Sequence, residues 1–155
     1  AVMNPLNDPV QQAEQSRLQQ MENMLIITGQ KVPVSPRDNH ILHLDALMPE
    51  LDRAMQGAEA DPTVNEVLKG LVAHGQEHIQ NAVAAGMKEK DLSQYLAQLN
   101  KVSQVVQQLD AYDQSVADAV EQGVPEDQAL AAGQQAAVTA AAAQQQGAPT
   151  APPVQ

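Results

Sequence analysis

Two segments decide the fold: DNHILHLDALMPELDRAMQG, residues 38–57, and DPTVNEVLKGLVAHGQEHIQNAVAAG, residues 61–86. In the first, Leu44, Leu47, Met48, Leu51 and Met55 recur at intervals of three and four, the spacing of one helix face. In the second, Val64, Val67, Leu68, Leu71, Val72, Ile79 and Val83 do the same. Asp38 or Asn39 can cap the first helix, and Asp61 followed by Pro62 opens the second. Gly57 and Gly86 are natural stops. The short loop 57–61 makes the two helices antiparallel neighbours. Pro49 is expected to kink the first helix or to split it after Met48, because it lacks an amide and crowds the preceding turn.

Working outward, Asp8-Pro9 repeats the cap-and-proline signal. Val10, Ala13, Met21, Met24 and Leu25 then give roughly helical spacing up to Ile27, and Thr28-Gly29 closes the helix. Met21, Met24, Met48 and Met55 read as gap-filling core. Residues 30–37 form an extended linker, since Pro33 and Pro36 push the residues before them out of the α region. Downstream, Asp91 can cap a fourth helix running to about Gln122, with Leu92, Leu96, Leu99, Val102, Val106 and Leu109 on its stripe. Gly123-Val124-Pro125 breaks it. An Ala-dominated segment from Pro125 through Ala143 has little to bury, so it is expected to be helical only beside a neighbour or copies of itself. Residues 144–155, with Pro149, Pro152 and Pro153, read as a disordered tail. No strand pattern occurs. The expectation is an all-α chain of extended antiparallel helical hairpins: an N-terminal helix (1–29), a linker (30–37), a hairpin plus long helix (38–123), an Ala/Gln-rich helix (124–143) and a tail (144–155).

Composition narrows the function classes. Ala and Gln dominate the 155 residues, Phe, Trp and Cys are absent, and the aromatic residues are Tyr95 and Tyr112. A layer of helices one deep is therefore expected rather than a thick core. Without Cys there is no disulfide, thiol nucleophile or thiolate metal site. Eight Lys and Arg against 19 Asp and Glu leave a formal charge of −11, which disfavours any grip on a phosphate backbone. An acidic wall past which DNA slides is compatible with it. No apolar run reaches the ~20 residues of a membrane span, and no signal-peptide pattern opens the sequence.

The four histidines are the one constellation that could carry chemistry. His40 and His43 fall on the first of the two deciding helices, His74 and His78 on the second, and spacings of three and four put each pair on one face. Counted from a loop centre near residue 59, His43 lies 16 residues before and His74 15 after, while His40 and His78 each lie 19 away. All four rings can thus meet at one level, roughly 22–28 Å from the turn. Two arrangements follow. One is a metal site, with four neutral imidazoles around Zn²⁺ or a similar ion. The other, favoured here, is a polar layer fixing helix register, in which the rings donate to carboxylates or carbonyls, with Asp38, Asp45 and Glu77 nearby to accept. A pH switch is a lesser alternative. No cofactor is expected.

Catalytic patterns are lacking. His74-Gly75-Gln76-Glu77-His78 is not the zincin motif, whose Glu directly follows the first His, and the sequence holds no glycine-rich phosphate loop or nucleophile elbow. The chain does not read as an enzyme.

Asp38-Asn39-His40-Ile41-Leu42-His43-Leu44 followed by His74-Gly75-Gln76-Glu77-His78-Ile79 resembles a pattern in the C-terminal third of tailed-bacteriophage, podovirus-like portal proteins. There a proline-bearing linker leads into Asp-(Asp/Asn)-His-x-x-His-(Ile/Leu), and His-x-x-(Glu/Gln)-His-(Ile/Leu) follows after a stretch of helix. The Gln- and Met-rich preceding helix and the Gln- and Ala-rich C-terminus are also similar. The likeness covers roughly residues 10–110. Family members often carry a further His where this chain has Leu47. The resemblance implies the crown and barrel end of a portal subunit, without the wing, stem and clip regions. It implies a structural role in a homo-oligomeric ring, typically a dodecamer, at a capsid vertex of the virion. DNA would be packaged and ejected through that ring without specific binding, and capsid, packaging and tail proteins would be its neighbours. The alternatives are a stand-alone helical protein binding metal through His40, His43, His74 and His78, and an internal virion or scaffolding protein. On the acidic balance, the chain should show no measurable affinity for duplex DNA at physiological salt in a filter assay; tight binding would exclude the portal reading.

Overall fold

The computed structural model describes residues 8–58, 61 and 63–146, all-α with helices α1 (Pro9–Ile27), α2 (His40–Ala58), α3 (Val64–Ala84), α4 (Ser93–Glu121) and α5 (Glu126–Gln146). Residues 1–7, 59, 60, 62 and 147–155, and with them the loop centre near residue 59 and most of the expected tail, lie outside the described residues. Two compact units divide the chain between Ser103 and Gln104.

Helix ends follow local chemistry. Asp8 accepts the Val10 amide at 3.1 Å with Pro9 at the first helical position. Asn39 rather than Asp38 caps α2, its Oδ1 accepting the Leu42 amide, while Asp38 turns back to the Ser35 amide. Asp61 takes the amide and hydroxyl of Thr63 just before α3. Gly29, Gly86 and Gly123 each adopt positive φ and close α1, α3 and α4 with the same pair of bonds, for example Gln30 to Leu25 and Gly29 to Ile26. Asp91 is not a cap. It sits in a 3-10 turn, Glu89–Leu92, that delivers Leu92 fully buried, and α4 begins one residue later. Pro49 does not split α2, which runs on to Ala58. Leu44, Leu47 and Leu51 bracket it and are all fully buried. At about 1.5–3 kcal/mol apiece, that burial outweighs one missing hydrogen bond.

In the first unit α2 and α3 form the antiparallel hairpin: Gly57 lies by Val64, Leu47 by Gly75 and His40 by His78. Leu44, Leu47, Leu51, Leu68, Leu71, Leu92, Leu99 and Val102 are its largest fully buried apolar residues. Gly75 sits where a Cβ would come within 2.8 Å of Leu47 and 2.9 Å of Leu99, so its lack of a side chain sets how closely α2 and α4 approach α3. The first helix lies parallel to α2, with Gln15, Gln19 and Asn23 reaching Asn39, His43 and Ala46 in turn.

That helix is inverted relative to the reading of its sequence. Its buried residues are Gln19, Asn23 and Ile26, whereas Val10, Met21, Met24, Leu25 and Ile27 are exposed. The methionine expectation fails here too: Met21 and Met24 face solvent, and Met48 and Met55 are only half-buried. The cause is that α1 packs against imidazoles, and these require polar partners.

In the second unit the latter part of α4 pairs antiparallel with α5. Gln144 bonds to Gln107 at 2.6 Å, and Gly133 faces Tyr112 and Val116. The described buried residues beyond Ser103 are small: Ala119, Ala129 and Gly133. The Ala-rich helix has the neighbour it was expected to need. A Cβ on Gly133 would lie 2.5 Å from Val116 Cγ2 and 2.9 Å from the Tyr112 ring. Gly133→Ala should therefore lower the thermal midpoint followed by circular dichroism. Overpacking costs about 1–3 kcal/mol, against about 1 kcal/mol gained in helix propensity; an unchanged or higher midpoint would refute the close contact.

Candidate functional site: a buried imidazole cluster

The register of α2 and α3 brings all four rings together. His78 is the hub: its ring centroid lies 4.7 Å from those of His43 and His74 and 5.3 Å from that of His40. His43 and His78 are fully buried, and His40 and His74 nearly so. The carboxylates expected beside them do not hydrogen-bond the rings. Asp45 accepts the Tyr95 hydroxyl at 2.5 Å, Asp38 serves Ser35, and Glu77 offers its backbone carbonyl to Asn81. Asp45 is two residues from His43, a spacing that does not share a face. Glu77 is three from His74, but the His74 nitrogens face the Val32 carbonyl, Gln19 and Glu22 instead.

The missing partners come from α1. Gln15, Gln19, Glu22 and Asn23 form a polar stripe at helical spacing, a signal present in the sequence but hidden by the more conspicuous apolar residues between them. Gln19 Oε1 lies 2.6 Å from His43 Nδ1, 3.2 Å from His78 Nε2 and 3.4 Å from His74 Nε2. Glu22 Oε2 lies 3.2 Å from His74 Nε2 and 3.4 Å from His43 Nδ1.

Amide orientations and two tautomers follow from fixed backbone groups. Asn23 Nδ2 donates to the Ala46 carbonyl, so Asn23 Oδ1 must accept from Gln19 Nε2, and Gln19 must turn its oxygen to the rings. Gln15 Oε1 accepts the Asn39 amide and therefore also presents oxygen, at 3.0 Å, to His43 Nε2, which must donate. His74 Nδ1 faces the Val32 carbonyl at 3.2 Å and must donate as well. In the neutral rings His43 Nδ1 and His74 Nε2 thus point lone pairs inward, toward Gln19 Oε1 and Glu22 Oε2. Acceptor facing acceptor is repulsive, and a positive charge among them, a proton or a metal ion, removes the conflict.

Electrostatics follow the same geometry. Burial pushes His78 down to about 3, helped by the charges of His74, His43 and His40 and opposed by Glu22. His40 is also lowered, chiefly by burial, against the pull of Asp38. Burial acts to raise Glu22, but when His43 and His74 are protonated their hydrogen bonds and charge outweigh this and bring it to about 2. Tyr95 is pushed up to about 12 by burial and by donation to Asp45.

A divalent ion could be reached by one oxygen of Glu22 and one nitrogen each of His43 and His78, atoms lying within 4.8 Å of one another. No helix among the described residues is long and apolar enough to cross a membrane. No family model, curated protein or solved structure matches the chain.

The two most strongly lowered groups, His78 and Glu22, make the fold acid-sensitive. His78 titrates below its unfolded value of ~6.5, so the stability it contributes is complete above that pH and is lost toward about 3. Glu22 loses its contribution between ~4.3 and about 2. With chelator present, the thermal midpoint should start to fall below about pH 6.5, and in His78→Gln this first part of the fall should shrink. A first part of the fall that is undiminished in His78→Gln would contradict this assignment to the buried ring.

Proposed function

We propose that the chain is a structural, self-associating segment that acts without bond-making chemistry, as the crown and barrel end of a phage portal ring. The observation that carries the self-association is the inverted α1. A helix that buries Gln19 and Asn23 while leaving Val10 76% and Met24 69% exposed has its apolar face directed outward. Exposed apolar stripes of this kind mark protein contacts. The occupant is a second copy of the chain, because ring assembly covers every such face by the same heterologous contact repeated around an axis.

Two further features support the portal reading. The paired histidine motifs resemble in order the pattern of the C-terminal third of portal proteins, and the net charge of −11 suits a channel wall that must not retain DNA. The Ala- and Gln-rich α5 can pack beside its copies as a tube. Ring closure is also compatible with a virion location and with capsid, packaging and tail proteins as neighbours.

Native mass spectrometry of the full chain tests the reading. A closed ring, expected as a dodecamer, is the supporting result. Met21→Glu combined with Met24→Glu should dissolve it into monomers of unchanged helix content, since both side chains are exposed. A chain that stays monomeric at its highest soluble concentration, or a ring indifferent to the double substitution, overturns the proposal.

A further inference from the structure

We propose that the imidazole cluster is a divalent transition-metal site formed by Glu22 of α1, His43 of α2 and His74 and His78 of α3, with Gln15, His40 and the Val32 carbonyl as positioning groups. The inference does not rest on ring assembly, because every ligand belongs to one chain.

Three observations carry it. The first is spacing. A tetrahedral ion about 2.0–2.1 Å from its nitrogen and oxygen donors sets those donors about 3.3 Å apart. Here donor atoms of Glu22, His43 and His78 all lie within 4.8 Å of one another, with His43 Nδ1 3.4 Å from Glu22 Oε2. His74 Nε2 adjoins them at 3.1 Å from His78 Nε2 and 3.2 Å from Glu22 Oε2.

Proton bookkeeping is the second. His43 spends its N–H on Gln15 and His74 spends its own on Val32, so both turn lone pairs to the same point as the Glu22 carboxylate. His78 can do likewise without gaining or losing a proton. It carries its hydrogen on Nδ1, donates it to His40 Nδ1 at 3.0 Å, and frees Nε2 for the ion. Gln19 Oε1, locked by Asn23, borders the same point and can serve as a fifth ligand.

The third is the outer ring of partners. Two of the ligating imidazoles have their remote nitrogen on a fixed acceptor, Gln15 and the Val32 carbonyl, and that of His78 faces His40 Nδ1 at 3.0 Å. This is the support that orients metal-bound histidines. The metal alternative read from the sequence, set below a structural polar layer, had four imidazoles as ligands. His40 Nδ1 meets His78 Nδ1 and its ring lies against the Pro36 backbone, and the fourth place is assigned to Glu22.

Three imidazoles and a carboxylate suit Zn²⁺, Co²⁺ or Ni²⁺; Ca²⁺ and Mg²⁺ require more oxygen donors. The ligands are buried apart from Glu22, whose side chain is 20% exposed and gives the ion its way in. Such a closed site is structural: it clamps α1 to the α2–α3 hairpin.

The test is titration of the chelator-treated full chain with Co²⁺, read by visible d–d absorption, followed by competition with Zn²⁺. We expect one Co²⁺ per chain, intense bands of low-coordinate cobalt, their loss on addition of Zn²⁺, and a raised thermal midpoint. His78→Gln and Glu22→Gln should each abolish the bands, and Gln15→Leu should weaken affinity about 10–100-fold. Asp45→Asn, outside the cluster, should leave uptake unchanged. Circular dichroism verifies the fold of each variant, and Glu22→Gln, isosteric and partly exposed, decides should His78→Gln fail to fold. Uptake below one equivalent, or uptake undiminished in Glu22→Gln, overturns the proposal and assigns the positive charge to a proton.

Discussion

Taking an imidazole out of water leaves two ring nitrogens to be satisfied, and this chain does it four times within a few ångströms. The α2–α3 hairpin cannot meet that demand. Its carboxylates do not hydrogen-bond the rings, and the rings alone give only the His40–His78 and His74–His78 contacts. The remaining partners must come from a third element, which is why α1 packs polar side inward. Gln15, Gln19, Glu22 and Asn23 are therefore interior groups, and the apolar residues between them are displaced to the surface. The inverted helix, the course of the linker that brings the Val32 carbonyl to His74, and the outward apolar stripe all follow from that requirement.

Features governed by local chemistry were legible in the sequence. The glycines at 29, 86 and 123 end helices where only a left-handed residue fits, Asp8 and Pro9 start one, and leucines spaced by three and four mark the buried sides of α2 and α3. The meeting of the four histidines was legible too, because it depends only on helical rise and a short loop. What escaped was set by long-range contacts. Periodicity records which residues share a face but not whether that face meets oil or imidazole, so α1 was read inside out. Proximity in sequence likewise favoured Asp45 and Glu77, while Glu22, 52 residues from His74, carries the charge. At Asp91 a competing 3-10 turn took precedence over capping because it buries Leu92.

The two units solve the shortage of large apolar residues differently. The first concentrates its leucines between α2, α3 and the start of α4 and reinforces them with a polar junction. The second relies on closeness: Ala119, Ala129 and Gly133 bring two backbones near enough for dispersion to act over a long seam. A seam of small side chains tolerates little added volume, whereas the polar junction tolerates little change in hydrogen-bonding capacity.

The chain of amides that begins at the Ala46 carbonyl has a consequence for inheritance. That carbonyl fixes Asn23, Asn23 fixes Gln19, and Gln19 presents oxygen to the rings. The Asn39 backbone amide fixes Gln15 in the same way. Both anchors are main-chain groups, and nearly every amino acid carries them. Mutation at position 46 can alter bulk or charge but cannot reverse the direction of the network. Its polarity is thus encoded by where the backbone passes, and it would persist through generations of substitution at position 46 for as long as the helix itself is kept.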